Sequence, residues 1–279
     1  MMLLDMRHLT IRMYLGTSET GGSRTTASID KADHSRLVAV TNALWQTRHA
    51  GRVGLIHRGK VLKKPTPGRA TIIGYTDGTV DIREWSDNIP IEKVWDARQL
   101  KHLIVKDGKV VREITKRGRT YSAEIGLGSL LNEDLPVLKS PEKNEKGRPI
   151  YRLNLTQGPL WFLATRSAFG IRPDGSLVFA IGRHIRTLDL AKALVLAGCV
   201  RGMHGDANPG NVVGIVYHTG EAGKIVKRAA LSPYQHKSTL NRYLTRSYPK
   251  DFFAFFTKGD GTALVADESV GKEKDKKLP

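Results

Sequence analysis

The residues best suited to chemistry crowd into one short stretch, Val200-Arg-Gly-Met-His204-Gly205-Asp206-Ala207-Asn208-Pro209, with Asn211 just beyond it. A carboxylate in a turn after a strand can reach into a cleft as a base or a ligand-fixing group. Asp206 can equally serve the turn itself, because Asp and Asn bond their own backbone. His204, two residues earlier, shares its strand face. It reads either as a proton carrier near neutral pH or as a structural histidine. Asn208 and Asn211 could donate to a phosphate or a sugar, or simply shape the turn. One carboxylate with neutral helpers is thin support for a hard cation, so no metal site and no cofactor is expected. The lone cysteine, Cys199, excludes an intrachain disulfide and any multi-cysteine zinc site.

Charge says what these groups would meet. Across 279 residues, 45 Lys and Arg against 27 Asp and Glu leave a net +18. That excess favours phosphate-bearing ligands, nucleic acid, acidic polysaccharide or a membrane surface. Residues 257–279 balance Lys against Asp and Glu and read as a disordered charged tail, so the excess belongs to the folded body. No apolar run approaches the roughly 18 residues of a transmembrane segment. Met1 to Arg7 lacks the apolar stretch and cleavage site of a signal peptide. Nucleic acid is a possible partner but not the favoured one: the bases are scattered and no helix-turn-helix, RNA-recognition or zinc-finger pattern is present.

The elements that must position these residues are mostly strands. Asp-Gly turns between apolar runs signal hairpins, and they occur at Asp77-Gly78, Asp107-Gly108 and Asp174-Gly175, with a weaker Arg58-Gly59. The clearest helix spans 188–197, with Thr187 as N-cap and Gly198 as the stop. Shorter helices are expected near 30–37 and over 91–103, and a surface loop over 139–149. Asp251-Phe-Phe-Ala-Phe-Phe256 reads as a core strand rather than a membrane anchor. The fold class is therefore α+β: a β-rich single domain with mixed sheets built from Asp-Gly hairpins and a few packed helices, over residues 1–256.

From about Leu9 to Phe256 the order of blocks resembles the phosphodiester glycosidase family. Val38-Ala-Val-Thr-Asn42-Ala43-Leu44-Trp45 is similar to the family strand ending in Asn-Gly-Gly-Phe, and Gly54-Leu-Ile-His-Arg-Gly-Lys-Val61 to its next hairpin. Pro67-Gly68-Arg69-Ala70-Thr71 and Ala97-Arg98-Gln99-Leu100 follow in order, then Arg166-Ser167-Ala168-Phe169-Gly170-Ile171 before Asp174-Gly175. Asp206-Ala207-Asn208-Pro209 and Arg242-Tyr243-Leu244 with Lys250-Asp251-Phe252-Phe253 look like a bacterial branch of the family. Two glycine motifs depart from the common pattern. Ala43-Leu44 stands for Gly-Gly, and Ala207-Asn208-Pro209 for a glycine run.

The resemblance implies a hydrolase of a sugar-1-phosphodiester or related phosphorylated glycan, placed outside the cell or in its envelope. It points to Arg166 first, then Arg69 and Arg98, as phosphate clamps, since a guanidinium fork pairs two oxygens. Asp206 would lie nearest the sugar carbon or the attacking water, and Asn42 would orient a phosphate oxygen or that water, with His204, Asn208 and Asn211 as further contacts. Asp206→Ala is expected to abolish turnover while leaving the melting temperature nearly unchanged. Trp45 and Trp161 could stack on sugar faces or lie in the core. The altered glycines keep a second reading open, a non-catalytic binder of acidic polysaccharide.

Overall fold

Alternating apolar residues punctuated by tight turns build antiparallel sheets, and most of this chain follows that rule. The computed structural model describes residues 1–19, 28–45, 53–111, 113–116, 119–122, 142–143, 149–151, 163–221, 223–245 and 247–259. Three wholly antiparallel sheets carry the architecture. The first has the order β1 (Met2–Leu4), β16 (Leu177–Ile185), β15 (Ala164–Ile171), β17 (Arg201–His204), β9 (Leu103–Lys106), β10 (Lys109–Val110). The second runs β19 (Ile225–Ala230), β18 (Gly214–Thr219), β3 (Leu37–Asn42), β20 (Phe252–Thr257), β2 (Leu9–Tyr14). The third runs β5 (Lys60–Lys63), β4 (Leu55–His57), β8 (Val94–Gln99), β6 (Ala70–Tyr75), β7 (Val80–Glu84).

A small fourth sheet, β11 (Glu113–Lys116), β12 (Arg119–Ser122), β14 (Pro149–Tyr151), β13 (Glu142–Lys143), holds a parallel pairing of β12 with β14. The expected surface loop at 139–149 therefore contributes strand β13 and the first residue of β14. Mixed pairing is confined to this sheet among the described residues. Asp77-Gly78, Asp107-Gly108, Asp174-Gly175 and Arg58-Gly59 each lie between two paired strands, with the glycine at positive φ.

One apolar core joins the inner faces of the three large sheets. Phe169, Phe179 and Met203 enter from the first, Ile11, Ala39, Phe253 and Phe255 from the second, and Leu55, Ile72 and Ile82 from the third. β20 is buried on both faces, because Phe252, Ala254 and Phe256 fill a second cluster on the far side of its sheet. That double cover explains its unbroken apolar run.

The outer face of the first sheet is covered by helix α1 (Thr187–Leu196), through Leu190, Ala191 and Leu194. Gly170 and Gly202 oppose each other in register beneath it, where a Cβ would strike Cys199 or Leu194. The helix begins one residue earlier than its sequence pattern indicates. Thr187 lies inside it, and Arg186 is the N-cap, without a side-chain capping bond.

Two expected helices change form. Residues 30–37 yield a 3-10 turn over Lys31–Arg36 leading into β3. The 91–103 stretch yields only a 3-10 turn at Ile91–Lys93, then β8. β8 lies between β4 and β6 with both faces covered, so tertiary pairing overrides its helix-like spacing. Exposed edges carry bases, Lys60 and Lys63 on β5 and Lys227 and Arg228 on β19, which discourages edge-to-edge pairing. Residues 260–279 of the expected tail lie outside the described residues. No helix among the described residues is long and apolar enough to cross a membrane.

Candidate functional site

Antiparallel neighbours bring the end of one strand beside the start of the next. The last residues of β17 therefore meet the first residues of β15, and the end of β3, in the second sheet, reaches the same place through the Asn42 side chain. Ser167, in β15, is the hub. Its backbone N–H donates to Asp206 O at 2.8 Å, and its carbonyl accepts from Gly205 N at 2.7 Å. Its Oγ accepts from Asp206 N and from Asn42 Nδ2, each at 2.9 Å. A Cβ at Gly205 would fall on that hydroxyl, so the close approach requires glycine. Asn42 completes the junction: Nδ2 also donates to Ala43 O at 2.7 Å, and Oδ1 accepts from Val213 N at 3.0 Å. Its amide is a strut between β3, β15 and the chain entering β18 (Gly214–Thr219).

Asp206 is buried at the same junction. Its Oδ1 accepts from Ala207 N at 2.7 Å and Asn208 N at 3.1 Å. Burial pushes its carboxyl above the ordinary carboxylate range, opposed by those two N–H groups, by Lys250 and by a bond from the Asn211 side chain. The turn-forming role is thus present in this side chain. Asp206→Ala would strip two N–H groups of their acceptor and cost about 1–2 kcal/mol. A lowered melting temperature is therefore expected of Asp206→Ala in place of an unchanged one.

On the neighbouring positions Arg166 and His204 form a buried pair. Arg166 Nε donates to Ile185 O at 3.1 Å, and Nη1 lies 3.3 Å from His204 Nε2. His204 Nδ1 is 3.1 Å from Gly205 O. A neutral ring protonated at Nδ1 satisfies both contacts, donating to the carbonyl and accepting from the guanidinium. Burial first, and then the Arg166 charge, lower the His204 pKa to about 3, so the ring is neutral at physiological pH. It fits the structural reading better than that of a proton carrier. Burial also lowers Arg166 to about 10, which leaves it charged. Trp45, partly exposed, meets the His204 ring edge-on at 6.2 Å. Lys101 Nζ lies 5.9 Å from the centre of the Trp45 indole.

Arg98 reaches the Trp45 backbone. Its Nη2 donates to Trp45 O at 2.6 Å and its Nε to Asp251 Oδ2 at 2.8 Å, with Glu19 at 3.5 Å. The guanidinium is wholly buried and its charge is met by protein carboxylates. Arg69 is half-buried ahead of β6, and its carbonyl accepts from Trp85 N and Thr71 Oγ1. Asn208 is exposed, and its Oδ1 accepts from Gly210 N at 2.9 Å. Asn42, Arg166, His204 and Asp206 are therefore brought together and Arg98 bonds the Trp45 carbonyl, whereas Asn208 faces outward. Trp161 lies outside the described residues.

Ser167 and Lys101 belong to the cluster and carry no sequence signal on their own. Each stands beside a residue picked out above, Ser167 after Arg166 and Lys101 three after Arg98, and only strand pairing shows what they touch. Among the described residues, no three His, Cys, Asp or Glu side chains are gathered as a metal would need. Chemically, the cluster joins a carboxyl of raised pKa, two buried cations and a half-open indole.

No protein-family profile matches the chain, and no curated protein matches it. Among solved structures, it is similar to the catalytic domain of zebrafish N-acetylglucosamine-1-phosphodiester alpha-N-acetylglucosaminidase, auto-inhibited by its pro-peptide. Identity is 13% and the TM-score 0.49, over 91% of this chain and 74% of that one. A hypothetical protein from Synechocystis matches at 9% identity and a TM-score of 0.48, over 92% of this chain but only 58% of that one. A candidate exported protein from Burkholderia pseudomallei matches at 11% identity and 0.40, over 92% and 73% of the two chains.

Proposed function

We propose that the junction of β3, β15 and β17 binds a glycan phosphodiester and hydrolyses its sugar-1-phosphate bond. One observation carries this reading: a buried carboxyl of raised pKa and a buried guanidinium, from distant parts of the chain, are held on adjoining strands by Ser167. Arg166 supplies positive charge to the phosphate, with Lys101 beside Trp45. Asp206 takes the proton of a water whose oxygen attacks the sugar C1. The C1–O bond breaks, its electron pair leaves on the phosphate oxygen, and a free sugar and a phosphate monoester are released. A raised pKa makes the Asp206 carboxylate a stronger base. Asn42, whose amide is committed to the protein, positions Ser167 and hence Asp206. Arg98 steadies Trp45, which offers its indole to a sugar face. An extracellular or cell-envelope setting goes with this substrate class.

Asp206→Asn keeps the Oδ1 acceptor and removes the base. Release of reducing sugar from a glucose-1-phosphodiester is expected to fall by about 10²–10⁴-fold. In the wild type the rate should rise with pH through an inflection above the ordinary carboxylate value of 3.8, because the base must be ionised. Turnover in the variant equal to wild type would dismiss the role of Asp206.

A second reading is favoured by the committed Asn42 amide and by Ala43 and Leu44, both buried where the family strand has glycines. Under it the same cluster binds an acidic polysaccharide without cleaving it. Saturable glycan binding with no sugar released would select this reading. Nucleic-acid binding that collapses with added salt would instead trace to the exposed bases.

A further inference from the structure

The turn that carries Asp206 is fastened at its two ends and at one point between them. At the start Ser167 Oγ accepts from Asp206 N, and at the end Asn42 Oδ1 accepts from Val213 N. From Ala207 to Val212 a single hydrogen bond arrives from outside the turn among the described residues: Arg242 Nη1 donates to Gly210 O at 3.1 Å. The other bonds of these residues are internal. Asp206 Oδ1 accepts from Ala207 N and Asn208 N, Asn208 Oδ1 from Gly210 N, and Asn208 O from Asn211 N and Val212 N. The turn's own N–H groups hold the carboxyl, and Arg242 holds the crest of the turn.

Arg242 is itself firmly planted. It opens the short helix α2 (Arg242–Thr245), and the next residue, Tyr243, is wholly buried with its ring 4.3 Å from that of Phe252. The Tyr243 carbonyl accepts from Ile29 N at 2.8 Å. The Arg242 guanidinium lies over the Tyr248 ring, 4.7 Å from its centre, and Nη1 also donates to the Tyr248 hydroxyl at 3.0 Å. One nitrogen with two N–H groups thus serves two acceptors, Gly210 O and Tyr248 Oη. Tyr248 is anchored in turn, since its carbonyl accepts from Thr17 N at 3.2 Å. Burial raises the Tyr248 phenol pKa, Arg242 opposes the rise, and the Asp206 charge adds to it. The carboxyl is therefore within electrostatic reach of the clamp.

We infer that Arg242 is a positioning residue for Asp206, clamping the crest of its turn to Tyr248 so that the carboxyl keeps its buried place. This inference rests on the reading of Asp206 as the base, and part of its test needs no substrate.

Carbon-13 NMR of the Asp206 carboxyl, titrated without substrate, reads the position directly. Sugar release from methyl glucose-1-phosphodiester reads its consequence. Arg242→Met keeps the apolar stem and removes the donors, and Tyr248→Phe keeps the ring and removes one acceptor. Lys250, whose charge also reaches Asp206, is retained in each variant. In Arg242→Met the carboxyl is expected to titrate at lower pH than in the wild type, because a freed turn admits water and relieves the burial that raises its pKa. With it kcat should fall by about 10²-fold while KM changes by less than about twofold. Tyr248→Phe should shift the titration the same way by less, and Arg242→Lys, which still donates to Gly210 O, should recover at least about tenfold of the lost kcat. An unmoved titration in Arg242→Met overturns the inference. So does a titration moved to higher pH, which is what loss of a cation acting by charge alone would give, and so does a raised KM with kcat intact. A wild type that releases no sugar removes the base reading, and the substrate-free titration then decides the clamp by itself.

Discussion

At His204 burial and a neighbouring charge act in the same direction. Both disfavour the imidazolium, which is why its pKa falls to about 3. Below pH 6.5 the unfolded chain takes up a proton that the folded one refuses. This contribution to stability is therefore full above pH 6.5 and is lost as the pH falls toward 3, on the order of a few kcal/mol. Asp206 works in the opposite sense. Its folded carboxyl holds a proton to higher pH than an unfolded one, so its contribution is present at low pH and disappears as the pH rises through its raised pKa. Nitrogen-15 shifts of the His204 ring at pH 5 should report a neutral ring protonated at Nδ1, and a protonated imidazolium at that pH would contradict the geometry. Asp206 and His204 were legible in the sequence as groups capable of chemistry. Their protonation states were not, because those depend on how completely the β15 and β17 neighbours exclude water.

Among the elements, β15 does most to build the site, and Ser167 is where it does so. Its hydroxyl accepts from a residue 125 positions away and from another 39 positions away. Ser167→Ala leaves Asn42 Nδ2 with only its Ala43 bond and orphans a buried Asp206 N–H. A loss of about 1–3 kcal/mol is expected in chemical denaturation, with turnover falling further than folding because Asp206 is released. A variant as stable as wild type would refute the hub. Nothing local marks such a serine, since serines are common and its partners are set by sheet pairing. β8 is hidden for a related reason. Ile91-Glu-Lys-Val-Trp-Asp-Ala-Arg spaces its apolar residues like a helix, but from Val94 onward neighbouring strands and layers cover both faces. The Asp-Gly hairpins lie at the other extreme, for turn chemistry acts over a few residues and can be read directly.

For the molecule as a whole, Arg98 and Asp251 join the third sheet to the second beside the site. Arg98 lies in β8, and Asp251 leads into β20 while accepting from Gly16 N at 3.0 Å. Arg98→Met would leave a buried carboxylate without its guanidinium and should cost about 3–5 kcal/mol by denaturant melting. Arg98→Met with Asp251→Leu should be less damaging than Arg98→Met alone, and a double variant worse than the single would refute the pairing. The β-rich class and the buried aromatic strand β20 were readable from composition and apolar runs. The closing of three sheets on one core was not, since it depends on contacts between residues as distant as Phe169 and Phe253. The central claim is that the ends of β3, β15 and β17 form one anion-binding place. It is tested most directly by amide and side-chain NMR shifts during titration with methyl glucose-1-phosphodiester. The account predicts that Asn42, the Trp45 indole, Ser167, His204 and Asp206 move together along one saturating curve. Shifts confined to the lysines and arginines of the edge strands β5 and β19, with those five resonances still, would contradict it.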